Sequence, residues 1–306
     1  MRSRFALVLL LAVTAGVRAA DIDPSVDGPF AVGSTTVVLT DTSRGRTLTT
    51  EVWYPADTAG RDVAVHPGRY RLVLVAHGNC GFRTNYEYLT VPLAGWGFVV
   101  AAPDFPGFNK ADCDAHVPAG DIIGDPPLDL RFLATALRDR NGPAATLAVV
   151  LRRRRTGLVG HSLGGLAVVN ASLADRDFRA VVALAPLATA MNGTEFVGLK
   201  PSRAALVAAG TAGTTLPPAS FAEPFFGALP TPAFLVEIVG GTLSGFTDMV
   251  AHLSPEALAR QEALTRRYAT AFLRRYLAGD RRLAAVLTPE DAAAEGPDVE
   301  LTARPR

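Results

Sequence analysis

The sequence is short of cysteine, lysine and histidine, and each shortage excludes something. Two cysteines in 306 residues are too few for a disulfide scaffold or a four-thiolate zinc site. Lys110 and Lys200 are the only lysines, so the positive charge is almost all arginine, and 30 basic residues against 29 acidic ones leave a formal charge of +1. That balance supplies no field to hold a nucleic acid or an anionic membrane. No apolar run approaches the roughly 20 residues of a membrane span. What the chain does have is apolar surface: 49% hydrophobic residues with 19% charged predict a globular protein with a sizeable core.

Residues 1–19 read as a secretory signal, with Arg2 and Arg4, an apolar stretch from Phe5 to Val13, and Val17-Arg18-Ala19 suited to cleavage before Ala20. Thr14 and Gly16 break that stretch well before spanning length, and the mature chain is expected to hold no span. Its loss would leave 27 basic against 29 acidic residues. The expectation is a secreted or periplasmic protein, where an oxidising compartment would preserve a bridge between Cys80 and Cys113. The sequence is equally compatible with two free thiols, because spacing does not fix the distance between their Cα atoms.

Thr35 to Leu39 and Thr47 to Tyr54 read as a hairpin around the turn residues Asp41 to Gly45. Six short apolar runs follow, at Leu72 to Ala76, Phe98 to Ala102, Gly157 to Val159, Ala180 to Ala185, Ala204 to Ala209 and Ala233 to Val239. Strands buried on both faces look like this. Helix-compatible segments lie between and after them: Tyr86 to Ala94, Leu128 to Arg138, Leu163 to Leu173, Phe221 to Ala228 and Pro255 to Leu277. In the last, Leu264, Tyr268, Phe272 and Tyr276 recur every four residues as one packing face. The alternation predicts an α/β fold, a mostly parallel sheet with helices on both faces, forming one domain over residues 21–280 with a weakly structured tail at 281–306. Arg152 to Arg155 reads as a solvated loop, with an anionic contact as the alternative.

Residues 156–165 read Thr-Gly-Leu-Val-Gly-His-Ser-Leu-Gly-Gly, an apolar strand, then Gly160-His161-Ser162-Leu163-Gly164, then a helical segment. This is G-x-S-x-G in its required setting. The turn from strand to helix is so tight that side chains two positions either side of the serine would collide. Ser162 is therefore the candidate nucleophile, held at the sheet's carboxyl edge beside helix amides that favour negative charge. Such a site has two backbone oxyanion donors: the amide after the nucleophile, Leu163, and one from the glycine-bearing turn His77-Gly78-Asn79-Cys80-Gly81, where Asn79 is the candidate. His77 reads as a structural imidazole, and Cys80 could tie this loop to Cys113.

These residues resemble the α/β-hydrolase superfamily, and within it the secreted branch related to platelet-activating-factor acetylhydrolases, chlorophyllases and polyester hydrolases. The resemblance rests on Asp27-Gly28-Pro29-Phe30, Val52-Trp53-Tyr54-Pro55, Val75-Ala76-His77-Gly78, Leu93-Ala94-Gly95-Trp96-Gly97-Phe98-Val99-Val100, the Gly160 to Gly165 elbow, and Gly240-Gly241-Thr242 with Phe246-Thr247-Asp248. It implies a single-domain hydrolase fold, a small ester or acyl ligand, a Ser, Asp or Glu, His triad in chain order, and no metal or organic cofactor. Fewer than 20 residues separate Ala185 from Ala204, which leaves no room for a large cap and predicts an open cleft.

By the same resemblance two triad positions are replaced. The acid belongs in the loop after Ala204 to Ala209, where Gly213 stands and no carboxylate occurs between Arg203 and Glu223; the base belongs after Ala233 to Val239, where Leu243 stands. Of the five histidines, His66, His77, His116, His161 and His252, only His252 follows Ser162, nine residues beyond Leu243, so reaching the serine would require a displaced loop. His116, on the long Asp104 to Pro127 loop, is a second candidate base and Glu195 a surrogate acid. His161 should point away from its neighbour, and Glu223 and Glu237 read as surface or packing residues. The expectation is an ester hydrolase fold with weak or lost turnover; the alternative is a working serine esterase with a relocated base, His252 or His116.

Overall fold

The hairpin and the six apolar runs all become strands of one sheet in the computed structural model, which describes residues 22–121, 123–187, 203–213, 215–248 and 253–305. The chain opens with β1 (Ala31–Asp41), β2 (Arg46–Ala56) and a two-residue β3 (Gly60–Arg61). It continues through β4 (Arg71–Ala76), β5 (Phe98–Pro103), β6 (Thr156–His161), β7 (Phe178–Leu184), β8 (Ala204–Gly210) and β9 (Ala233–Ile238) to β10 (Val299–Arg304). The order is β10-β9-β8-β7-β6-β4-β5-β2-β1-β3. The six strands β5, β4, β6, β7, β8 and β9 are mutually parallel, and β10 and β2 pair antiparallel on the two outer sides.

The helices are α1 (Glu87–Gly95), α2 (Lys110–Asp114), α3 (Asp125–Ala136), α4 (Ala145–Ala148), α5 (Leu163–Ala174), α6 (Ala222–Ala228), α7 (Pro255–Leu273) and α8 (Pro289–Glu295). Each face of the sheet has its own core, because alternate strand residues point opposite ways. Leu72 and Leu74 of β4 pack with Leu130, Leu133, Val168 and Phe225 from α3, α5 and α6. Val73 and Val75 pack with Leu89, Leu93, Tyr268 and Phe272 from α1 and α7. The four-residue stripe on α7 buries Leu264, Tyr268 and Phe272 almost completely, and Ser254 starts that helix by accepting the Ala257 N–H at 3.3 Å.

The carboxyl-terminal segment corrects the expectation of a weakly structured tail over 281–306. Residues 281–286 form a 3₁₀ turn, α8 follows with Thr288 as its cap, and β10 zips onto β9 from Val299↔Ile238 to Arg304↔Ala233. Val299 and Leu301 face the core while Glu300 and Thr302 face outward, an alternation whose short length hid it among the charged residues around it. Among the described residues no helix is long and apolar enough to cross a membrane. The leader expected at 1–19 lies outside the described residues.

Candidate active site

The strand-to-helix turn at Ser162 has the strain its sequence predicts. Ser162 sits at φ 54° and ψ −116° between β6 and α5, a left-handed backbone that a side-chain-bearing residue adopts only when its surroundings enforce it. Its N–H donates to Leu184 C=O at 2.9 Å, and its own C=O accepts from Leu187 N–H at 2.9 Å. A Cβ at Gly160 would stand 2.1 Å from Gly164 O, and one at Gly164 would stand 2.2 Å from Ala76 O, so the flanking glycines are steric necessities.

The loop after β4 closes against this turn. A Cβ at Gly78 would meet both Ser162 Cβ and His161 Nδ1 at 3.3 Å. Asn79 is exposed and Leu163 buried, and among the described residues neither backbone N–H has an acceptor. Two free amides on either side of a strained serine can stabilise a developing oxyanion. Their loop is held from behind: Cys80 N–H donates to Phe108 O at 2.9 Å, Lys110 N–H donates to Gly81 O at 2.8 Å, and a disulfide joins Cys80 to Cys113.

Both neighbouring histidines are held by hydrogen bonds on Nδ1. His77 Nδ1–H donates to Gly78 O at 2.7 Å and its Nε2 accepts the Phe105 N–H at 3.1 Å. Burial pushes its pKa down, so it is a neutral strut, the arrangement expected of a structural imidazole. Tyr86 Oη accepts the Gly78 N–H at 3.1 Å and lies 3.1 Å from His161 Nδ1, to which it donates. His161 Nε2 is buried and has no hydrogen-bond partner among the described residues. Burial lowers the His161 pKa to about 4, with the nearby Leu243 backbone opposing. His161 is thus neutral and bonded to Tyr86, and among the described residues no hydrogen bond joins it to the Ser162 hydroxyl.

The loops after β8 and β9 lie against each other at the same edge. Ala212 N–H donates to Gly241 O at 2.9 Å and Gly240 N–H to Thr211 Oγ1 at 2.9 Å. A Cβ on Gly213 would stand 3.9 Å from Leu243 N, so the two positions read as vacated acid and vacated base are neighbours in space. The side chain of Gln261, 1% exposed on α7, accepts from Thr242 N–H at 3.0 Å and donates to Thr242 O at 2.9 Å.

The sequence profile of the alpha/beta hydrolase family matches residues 72–305. The chain belongs to this family. It is also similar to a bis(hydroxyethyl) terephthalate hydrolase of Streptomyces coelicolor, with 25% identity over 265 residues that cover 86% of this chain and 72% of the relative.

Of the other candidates, His116, Glu223 and Glu237 are among the described residues. His116 is exposed in the turn after α2 at φ 55°, and among the described residues no hydrogen bond joins its side chain to Ser162. His252 and Glu195 lie outside the described residues. Glu223 is exposed, and Glu237 is half-buried on β9 with its pKa raised by burial and by Glu223 and Glu300. Asp248 caps α1, its carboxylate accepting from Glu87 N–H and, at 3.4 Å, from Tyr88 N–H. Among the described residues no cluster of His, Cys, Asp and Glu could hold a metal ion. Tyr86 and Gln261 escaped the sequence reading, since neither belongs to a motif and each acts across more than 15 residues of chain.

Proposed function

We propose that the protein is an exported member of the family that keeps an ester- or acyl-binding site around Ser162 and has lost the proton relay that would activate it. The observation that carries this reading is the closeness of Gly213 to Leu243, where an added Cβ would stand 3.9 Å from the Leu243 nitrogen, together with a strained serine whose candidate oxyanion amides have no acceptor among the described residues. An acid and a base belong on those two loops in a Ser, acid, His hydrolase; here one offers no side chain and the other an isobutyl group. A serine hydroxyl without a base is a poor nucleophile, and loss of triad members removes about 10⁴ to 10⁶ of the rate. Binding and the oxyanion hole would still leave roughly 10³ to 10⁴ over water. The similarity to a terephthalate diester hydrolase supports an accessible ester of an aromatic or short acid as ligand, and the Cys80–Cys113 bridge supports export.

Hydrolysis of p-nitrophenyl acetate by the wild type and by Ser162→Ala tests the proposal. The expected result is slow turnover, far below the roughly 10 s⁻¹ typical of enzymes, with at most a small difference between the two proteins. Rapid turnover abolished by Ser162→Ala would overturn it and direct attention to His252 and Glu195.

A further inference from the structure

The end of the sheet opposite Ser162 carries an unexplained cavity. Its volume is about 780 Å³, within the range of small-molecule sites. It lies at the amino ends of the parallel strands: Arg155 precedes β6, Arg179 and Ala204 begin β7 and β8, and Pro232 precedes β9. Arg155 and Ser162 sit at opposite ends of β6, roughly 20 Å apart at about 3.3 Å per strand residue. This site is therefore separate from the serine and independent of the ester reading.

Its lining has two characters. Phe234, Leu287 and Tyr276 form an apolar wall, with the Phe234 and Tyr276 rings 5.7 Å apart. Arg155, Arg179 and Arg275 supply positive charge, and among the described residues none of the three is paired with a carboxylate. Arg275 lies over the Tyr276 ring, 5.2 Å from its centroid. Glu290 is the one acidic residue among the described lining residues, so the charge there is net positive. Arg155 is held at φ 69°, a left-handed conformation unusual for arginine. Further arginines crowd the same end: besides burial, Arg179 depresses the pKa of Arg203, and Arg152 and Arg155 depress that of Arg71. Uncompensated guanidinium forks beside an aromatic wall match a planar carboxylate on an apolar body.

We propose that this cavity binds a small organic carboxylate, its head on Arg179 and Arg275 and its apolar body against Phe234 and Tyr276. Titration calorimetry of the purified protein with 2-naphthoate, uncharged 2-naphthamide and inorganic phosphate tests it. Saturable naphthoate binding is expected, with both controls at least about tenfold weaker because each lacks one of the two recognition elements. The double variant Arg179→Gln with Arg275→Gln should weaken naphthoate about tenfold or more, and Glu290→Gln should tighten it a few-fold by removing like charge. Equal affinity for naphthamide or phosphate, full affinity in the folded double variant, or no tightening on Glu290→Gln would overturn the proposal. So would the absence of saturable binding below about 10 mM.

Discussion

The substitution pair Gly213→Asp with Leu243→His tests the candidate site most sharply. Gly213 lies outside the left-handed region, and a Cβ there meets Gly210 O at 3.2 Å and Leu216 O at 3.6 Å. A side chain therefore fits if the Gly210 carbonyl gives by a few tenths of an ångström, at a cost of about 1 kcal/mol. Leu243 has φ −55° and ψ −50°, a helical conformation open to histidine. The Cβ of the new aspartate would stand 3.9 Å from the backbone nitrogen of the new histidine, so its carboxylate starts within reach of that ring. A positioned general base contributes about 10² to 10⁴ in rate, or about 3 to 5 kcal/mol of barrier at 1.36 kcal/mol per tenfold. Turnover of p-nitrophenyl acetate should rise at least about 100-fold in the double variant and much less in either single variant, since the histidine needs its orienting partner. The gain should appear as pH rises through about 6.5, where an ordinary imidazole loses its proton, and vanish when Ser162→Ala is added. A folded double variant no faster than its parent, or one indifferent to Ser162→Ala, would refute the assignment of both positions.

Gly164→Ala should prevent folding or empty the elbow, because its methyl would stand 2.2 Å from Ala76 O, whereas Gly227→Ala on α6 meets nothing within 4 Å and should be neutral or stabilising by up to about 1 kcal/mol; melting temperatures of the two variants check the contrast. Replacing both Cys80 and Cys113 by serine opens a loop of 33 residues' separation and should cost about 3 to 4 kcal/mol in a urea titration if loop entropy dominates. Gln261→Leu removes both bonds to Thr242 and should cost about 2 to 4 kcal/mol by stranding two backbone groups, again read from urea midpoints. His161 has a folded pKa of about 4, below the roughly 6.5 of an unfolded histidine. The unfolded chain therefore binds the extra proton, and this contribution to stability is complete above pH 6.5 and is lost as pH falls toward 4. His161→Gln should flatten that part of the stability profile, and an unchanged slope would contradict it.

The parallel strands were legible because a strand buried on both faces must be apolar throughout, as Leu72 to Ala76 and Ala204 to Ala209 are. The elbow was legible because its glycines answer a local clash at 2.1 and 2.2 Å. The tail was misread because β10 has two inward residues in a charged segment, and its partner β9 lies some 60 residues away. A closer look at Thr288-Pro289-Glu290 could have found the start of α8, since a threonine cap followed by proline marks a first helical turn. The Tyr86 to His161 bond carried no signal, because long-range pairing between unrelated motifs leaves no spacing to read. The Gly213 and Leu243 positions were read from a family resemblance, and their loops do lie together, a Cβ on Gly213 standing 3.9 Å from Leu243 N.

The antiparallel β10 means that β9, whose far end leads into the Leu243 loop, is not an open border of the sheet. Severing the protein after Asp298 would bare a row of unpaired amides and carbonyls along β9, a template for foreign strands. A purification handle fused at the carboxyl end would hang directly from that seam. Researchers preparing the protein should therefore place such a handle ahead of β1 instead.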